Sequence, residues 1–248
     1  MRTINLDLKI TKEYFLGEAF KTLRTNVQFC GTDVKAIAVT SCYPGEGKST
    51  ISLELSRSLA EVGKKVLFID ADMRKSVVVR KYANAVGVCG LSQYLSGQNT
   101  LEEVLFATQV PNMHIIFSGQ FPHNPVELLG SGAFKKLIQE QLEHYDYVIV
   151  DTPPMGAVID CAVIANACDS AIMVVAVEKI PYRRAIAIKN QLAKSGVRIL
   201  GVVLNRVRST SLHFPKPYVS GKYAKGYRYS AKKKKGKEEK VILANEDE

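Results

Sequence analysis

The stretch AIAVTSCYPGEGKSTISLELSRSL, residues 36–59, constrains this chain more than any other. A short apolar run, AIAVT, leads into a loop with two glycines, and the loop leads directly into helix-forming sequence. Gly45 and Gly47 let backbone N–H groups wrap a chain of phosphates, with Glu46 between them in the same loop. Lys48 supplies a cation for the β and γ oxygens, and Ser49 and Thr50 supply hydroxyls for Mg²⁺ and phosphate. Lying between a strand and a helix, the loop also presents the phosphates to a helix N-terminus. The strict pattern has a further glycine five residues before Gly47, and here Cys42 stands in that place.

The rest of the chain alternates strand and helix. A helix is predicted over 12–28, with Phe15, Ala19, Leu23 and Val27 at four-residue spacing. The glycine loop opens a helix from Ser49 to about Val62. KVLFID (65–70), MHIIFSG (113–119), DYVIVD (146–151), AIMVVAV (171–177) and ILGVVLN (199–205) read as further strands. Helices are expected near 101–107, through VELLGSGAFKKLIQEQLEHY (126–145) as one element, and over 182–195. Continuous apolar strands separated by helices call for an α/β fold: a mainly parallel central sheet with helices on both faces. The folded domain is expected to span 1–208, followed by a flexible basic tail over 209–248.

Composition narrows the class. A hydrophobic share of 46% with 23% charged residues is that of a soluble globular protein. The N-terminus has no signal-peptide core, and no apolar run approaches the roughly 18 residues of a membrane helix. Cys30, Cys42, Cys89, Cys161 and Cys168 form no CxxC pair or regular framework, so they read as reduced thiols in a cytoplasmic protein. The net charge of +10 divides evenly between very unequal lengths: residues 209–248 carry ten Lys+Arg against five Asp+Glu, half of the total. Lys232 to Lys235 are an unbroken run, a pattern of solvated segments or of contacts with anionic surfaces.

Two more acidic stretches suit a metal–phosphate centre. Asp151 ends the strand YVIVD before TPP, as expected of a carboxylate that holds a Mg²⁺ shell. Asp70 and Asp72 follow the strand VLFID in FIDADMR, at the sheet edge where ligands of α/β proteins bind. A helix cap or loop role is the plainer alternative for each.

Taken together, SxxPGEGKST, VLFIDADMR and VIVDTPP closely resemble the Walker A, A′ and B motifs of the bacterial tyrosine kinases. These are P-loop proteins related to the MinD/ParA ATPases, and the likeness is to their separate cytoplasmic subunits in capsule and exopolysaccharide systems. It covers nearly the whole chain, from about Glu13 into the tail. The resemblance implies ATP and Mg²⁺ as cofactors. Lys48, Ser49 and Thr50 would meet phosphates and metal, and Asp72 and Asp151 would hold the metal. Asp70 is similar to the A′ aspartate that activates a tyrosine hydroxyl; a supporting place behind the metal suits it equally. Asn205, in VLNRV, resembles the adenine-contacting residue of the related ATPases, or is a plain strand-end asparagine. Glu18, Lys21 and Arg24 in EAFKTLR match an ExxRxxR motif that joins protomers into a ring. Lysine at its middle position lacks arginine's bidentate fork, and the same residues also read as an exposed helix with i, i+3 pairing. Asn124 and Pro125 in FPHNPVELL resemble a segment of this subgroup and read physically as a turn feeding a helix.

The tail then acquires a purpose. Tyr218, Tyr223, Tyr227 and Tyr229, four of 11 tyrosines, stand among lysines, glycines and serines with no aliphatic partners. A coil of about 40 residues spans tens of ångströms and can carry them to a neighbour's site. Phosphorylation adds roughly −1.5 to −2 charge per tyrosine. The expected reading is a tyrosine autokinase acting in trans on its own tail, with a membrane-anchored activator and no nucleic-acid partner. The rival is a MinD/ParA-like ATPase switch without kinase activity. Those proteins carry a signature lysine where this chain has Tyr43.

Overall fold

A computed structural model describes residues 1–8, 14–83, 87–177 and 179–207. Its sheet has eight strands: β1 (Arg2–Ile4), β2 (Ala36–Ser41), β3 (Val66–Asp70), β4 (Leu105–Thr108), β5 (Met113–Ile116), β6 (Tyr147–Asp151), β7 (Ser170–Ala176) and β8 (Arg198–Asn205). Their order is β1-β4-β5-β3-β6-β2-β7-β8. Every neighbouring pair is parallel except β4 with β5, so β1 and β4 run against the other six.

The helices are α1 (Tyr14–Phe29), α2 (Lys48–Ala60), α3 (Leu91–Leu95), α4 (Leu101–Val104), α5 (Pro125–Gly130), α6 (Gly132–Gln141), α7 (Asp160–Asn166) and α8 (Tyr182–Ala193). Alternate residues of the central strands face opposite layers, as the two-residue period of a strand requires. Ile37, Val39, Phe68 and Ile149 pack with Phe20 and Val27 of α1 and Leu53, Leu55 and Leu59 of α2. Leu67, Ile69, Val148 and Val150 pack on the other side with Phe134, Leu137 and Ile138 of α6 and Ile164 of α7. Ala38, Met173 and Val175 meet Ile188 and Leu192 of α8. Burying strands on both faces makes β2, β3, β6 and β7 the most readable part of the sequence.

Four features depart from the sequence reading. The helix expected near 101–107 ends at Val104, and Leu105 turns to extended backbone (φ −92°, ψ 123°) to start β4. There Phe106 is buried edge-on against Phe117, with ring centroids 5.6 Å apart. The single helix expected over 126–145 is two, broken at Ser131 between Gly130 and Gly132. Ser131 is extended (φ −67°, ψ 148°), and its hydroxyl donates to the Leu128 carbonyl at 2.6 Å. Glycine on either side removes the helical preference that would carry the element through. Strand β1 and helices α3 and α7 went unread, as did a π-helical turn over Val79–Ala83. Finally β8 is an edge: Val202 is 45% and Leu204 53% exposed, so among the described residues this strand lacks the two-sided cover of its neighbours. Among the described residues no helix is long and apolar enough to cross a membrane.

Candidate active site

Sheet order sets the site. Because β6 lies between β3 and β2, the register pairs Asp70 with Asp151 and Val39 with Asp151. The acidic ends of β3 and β6 thus stand beside the loop that leaves β2, at the carboxyl edge where α/β folds bind ligands.

In that loop Gly45 and Gly47 have left-handed backbones, φ 78° and 96°. Gly47 is required twice over, since a Cβ there would lie 2.1 Å from Asn205 Nδ2. Buried Glu46 accepts the Tyr43 N–H at 2.7 Å and the Ala176 N–H at 3.1 Å, tying the loop to the end of β7. Cys42 is wholly buried, and burial pushes its thiol up to about 11, so it is an inert wall. The close approach here falls to Gly156, where a Cβ would be 2.3 Å from the Cys42 carbonyl.

Lys48 points into the carboxylates. Its Nζ lies 3.0 Å from Asp72 Oδ2, 3.4 Å from Asp151 Oδ2 and 3.3 Å from Ser49 Oγ. Ser52 Oγ lies 3.3 Å from Asp151 Oδ1, while its hydroxyl sits closer to the Lys48 carbonyl, at 2.7 Å. Asp70 accepts the Asp72 N–H at 3.2 Å and the Ser76 hydroxyl, and Asp72 accepts the Lys75 N–H at 3.0 Å. Burial alone would lower the Lys48 pKa, but Asp151, Asp72 and Asp70 together hold it above the ordinary lysine range. Burial, then repulsion from Asp151, lifts Asp70 far above the usual carboxylate range against the Ser76 hydrogen bond. Asp151 is raised by burial too, with Lys48 opposing.

Three carboxylates around one ammonium leave a deficit of two positive charges, which suits a divalent cation. All the donors are oxygen, as Mg²⁺ prefers. Among the described residues no three acidic, His or Cys side chains are arranged to enclose a metal. Mg²⁺ held by one or two carboxylates, waters and phosphates needs no such enclosure. The residues present therefore fit Mg²⁺ carried with a nucleotide.

A family model described as an AAA domain matches residues 34–194. The tyrosine-protein kinase CpsD of Streptococcus agalactiae serotype III is 41% identical over 205 residues, covering 83% of this chain and 88% of its own. The tyrosine-protein kinase YwqD of Bacillus subtilis is 38% identical over 76% of this chain and 80% of its own. This chain belongs to the bacterial tyrosine kinases. The solved kinase domain of the Escherichia coli tyrosine kinase ETK superposes with a TM-score of 0.76 at 31% identity, over 83% of this chain and 82% of that one. MinD of Pyrococcus horikoshii, solved with Mg-ADP, is 24% identical with a TM-score of 0.58 over 69% of this chain and 70% of its own, a likeness of fold.

The other residues singled out from sequence are distributed as follows. Thr50 Oγ1 lies 2.6 Å from the Tyr82 hydroxyl and 3.2 Å from Lys81 Nζ. Asn205 Nδ2 donates to the Glu46 carbonyl at 2.8 Å, on the P-loop itself. On α1, Glu18 and Lys21 pair at 2.8 Å on an exposed surface. Arg24 instead donates to the Ser58 carbonyl at 3.0 Å and hydroxyl at 3.2 Å, on α2. Asn124 and Pro125 open α5 as N-cap and first residue. Tyr218, Tyr223, Tyr227 and Tyr229 lie outside the described residues.

Sequence reading missed one pair. Arg74 donates to both carboxylate oxygens of Asp160, at 2.7 and 3.2 Å, with Asp160 almost wholly buried. This joins the loop after β3 to the start of α7, the two segments carrying Asp72 and following Asp151. The arginine of FIDADMR was the available signal; its partner, 86 residues on, was not marked by any pattern.

Proposed function

We propose that this kinase transfers the γ-phosphoryl of Mg·ATP to tyrosines of its own tail, acting in trans between copies. The observation that carries the proposal is the convergence of Asp70, Asp72 and Asp151 on Lys48 at the P-loop edge of a bacterial tyrosine kinase. Gly45, Glu46, Gly47, Lys48, Ser49 and Thr50 bind and orient the phosphates, and Asn205 steadies the loop or reaches the base. Ser49, Asp72 and Asp151 are the residues that would hold Mg²⁺, which supplies positive charge against the phosphate oxygens when bound. Lys48 leaves its carboxylates for the phosphate oxygens as nucleotide enters.

The tyrosine oxygen forms a bond to the γ-phosphorus as the bond to the β–γ bridging oxygen breaks, and ADP leaves with that electron pair. The phenol proton passes to a carboxylate oxygen of Asp70. A phenol of pKa near 10 needs a base at hand as it attacks, and Asp70 stands at the strand end directly beside Asp151 for that part.

Tyr218, Tyr223, Tyr227 and Tyr229 are the acceptors, and Glu18, Lys21 and Arg24 form the contact that joins copies into a ring. The chain acts at the inner face of the cell membrane through a membrane-anchored activator, in control of capsular or extracellular polysaccharide synthesis. Nucleic acid has no part in it. The names of the CpsD relatives support the kinase reading. Four phosphotyrosines would take the tail's charge from +5 to about −1 to −3, which supports release of copies from the ring or from an acidic surface by repulsion.

Intact mass with tyrosine mapping tests this, comparing wild type and Lys48→Met incubated with Mg·ATP, with and without activator. Phosphate on residues 218–229 in wild type alone is the expected result. ATP hydrolysed with the tails unmodified, activator present, would leave a MinD-like switch, which the shared fold also permits.

A further inference from the structure

The P-loop is gripped from outside as well as lined from within. β8 ends at Asn205, and Arg206 follows in a left-handed backbone conformation, φ 59°, rare for a residue with a Cβ. From there its guanidinium donates to the Gly45 carbonyl at 2.7 Å. Asn205 Nδ2 donates to the next carbonyl, that of Glu46, at 2.8 Å. Asn205 Oδ1 accepts the Arg206 N–H at 2.8 Å, so the two donors are braced against each other.

A trans peptide unit is planar, with its C=O and the following N–H pointing opposite ways. Holding the Gly45 carbonyl outward therefore holds the Glu46 N–H inward. Holding the Glu46 carbonyl outward does the same for the Gly47 N–H. Among the described residues no protein acceptor takes either of these N–H groups. Successive N–H groups turned into one concavity form an anion nest at the start of α2. Glycine at position 45 makes the bracing necessary. With φ 78° and nothing within 4 Å of a would-be Cβ, local packing leaves that peptide plane free to turn.

We propose that Arg206 is a positioning residue for the phosphate chain: it sets the Gly45–Glu46 peptide plane and does not itself touch nucleotide. The inference rests on the nucleotide-binding reading of the site. It also separates the two strand-end residues, since the sequence singled out Asn205 alone.

The left-handed backbone dictates the variants. Arg206→Gly accepts that conformation at no steric cost and removes only the guanidinium. Arg206→Lys keeps a donor of comparable reach. The full-length proteins are titrated with Mg·ADP and Mg·ATP by calorimetry, and autophosphorylation is followed against ATP concentration. Arg206→Gly should weaken both nucleotides by a common factor of about 5–10, the loss of one hydrogen bond. KM for ATP should rise in step, kcat should stay within about twofold, and melting without nucleotide should be unchanged. Arg206→Lys should recover most of the affinity.

Equal affinity in wild type and Arg206→Gly would overturn the inference while leaving the site reading intact. So would a loss confined to Mg·ATP, which would put the guanidinium on the γ-phosphate. A fall in melting temperature large enough to explain the lost affinity would make Arg206 a structural residue and overturn the inference equally. A wild type that binds neither nucleotide would overturn the site reading and this inference with it.

Discussion

Two charged clusters in this molecule have similar chemistry and opposite surroundings. Lys48 with Asp70, Asp72 and Asp151 lies buried at the carboxyl edge of the sheet. Glu18, Lys21 and Arg24 lie on α1, where the Glu18–Lys21 pair has half of each side chain in water. In the first cluster each charge alters its neighbours' proton affinity. In the second the 2.8 Å ion pair is screened, and such pairs contribute about 0–1 kcal/mol. Motif spacing marks both clusters equally; burial decides which one governs stability, and it leaves Glu18 and Lys21 open to another molecule while Arg24 is engaged with Ser58 of α2.

The strongest way to break this comparison is Lys48→Met. It should abolish nucleotide binding and, by leaving buried carboxylates uncompensated, cost about 3–5 kcal/mol of stability at neutral pH. The pH dependence has a definite sign. Without the ammonium, Asp70 and Asp151, already raised by burial, sit higher still. Between the ordinary carboxylate pKa and the raised ones, the native state binds more protons than the unfolded chain, so stability falls as pH rises. In wild type Asp70 is itself raised to about 7, so the melting gap to wild type should widen chiefly above about pH 7, where only the variant still holds the extra proton. A constant gap would mean that the carboxylates do not feel the lysine.

Asp70→Asn comes next. It should lower the rate of tyrosine phosphorylation by about 10²-fold or more, with nucleotide affinity within a few-fold of wild type. Equal losses in rate and affinity would move Asp70 from base to metal support.

Arg74→Ala leaves Asp160 buried with its partner gone. Because Arg74 is partly solvated, we expect a loss of about 1–3 kcal/mol, below that of a fully buried pair. Chemical unfolding of Arg74→Ala, Asp160→Leu and the double variant measures the coupling, and additive losses would dismiss it.

Lys21→Arg should have the smallest effect on the monomer, within about 0.5 kcal/mol by thermal melting. The same substitution should strengthen self-association in mass photometry, since arginine restores the bidentate fork. Unchanged assembly with unchanged stability would leave this cluster as an exposed helix face and nothing more.

Legibility in the sequence follows the same division. The strands flanking the site read clearly because burial on both faces makes them continuously apolar. Asp70 and Asp151 could be placed at strand ends for the same reason. Their direct pairing could not, since it depends on β6 inserting between β3 and β2. β1, at three residues, and β4, at four, are too short to show a period. Phe106 acts as a strand residue through its contact with Phe117, eleven positions on. Thr50 was placed by its motif among the phosphate ligands, but its hydroxyl meets Tyr82, which a π-helical turn delivers. Arg206 carries no motif, and only its backbone angle and its reach to Gly45 distinguish it.

The reversed direction of β1 has a practical side. β1 runs parallel to β4 and so against the six strands that carry the site. Arg2 therefore lies level with Phe68 and Ile149, with the chain ahead of it heading toward the sheet edge that carries Asp70, Asp151 and Asn205, and among the described residues β1 and β8 are the outermost strands. With strands about 4.8 Å apart, three intervals put the line of β1 roughly 14 Å from that of β3, which carries Asp70. A purification handle or fluorophore attached ahead of Arg2 would thus share an edge with the candidate site and crowd whatever docks there. The turns at Gly63, Asn112 and Gly196 lie at the far edge, before β3, β5 and β8 begin. They are the better sites for labels meant to report on catalysis without disturbing it.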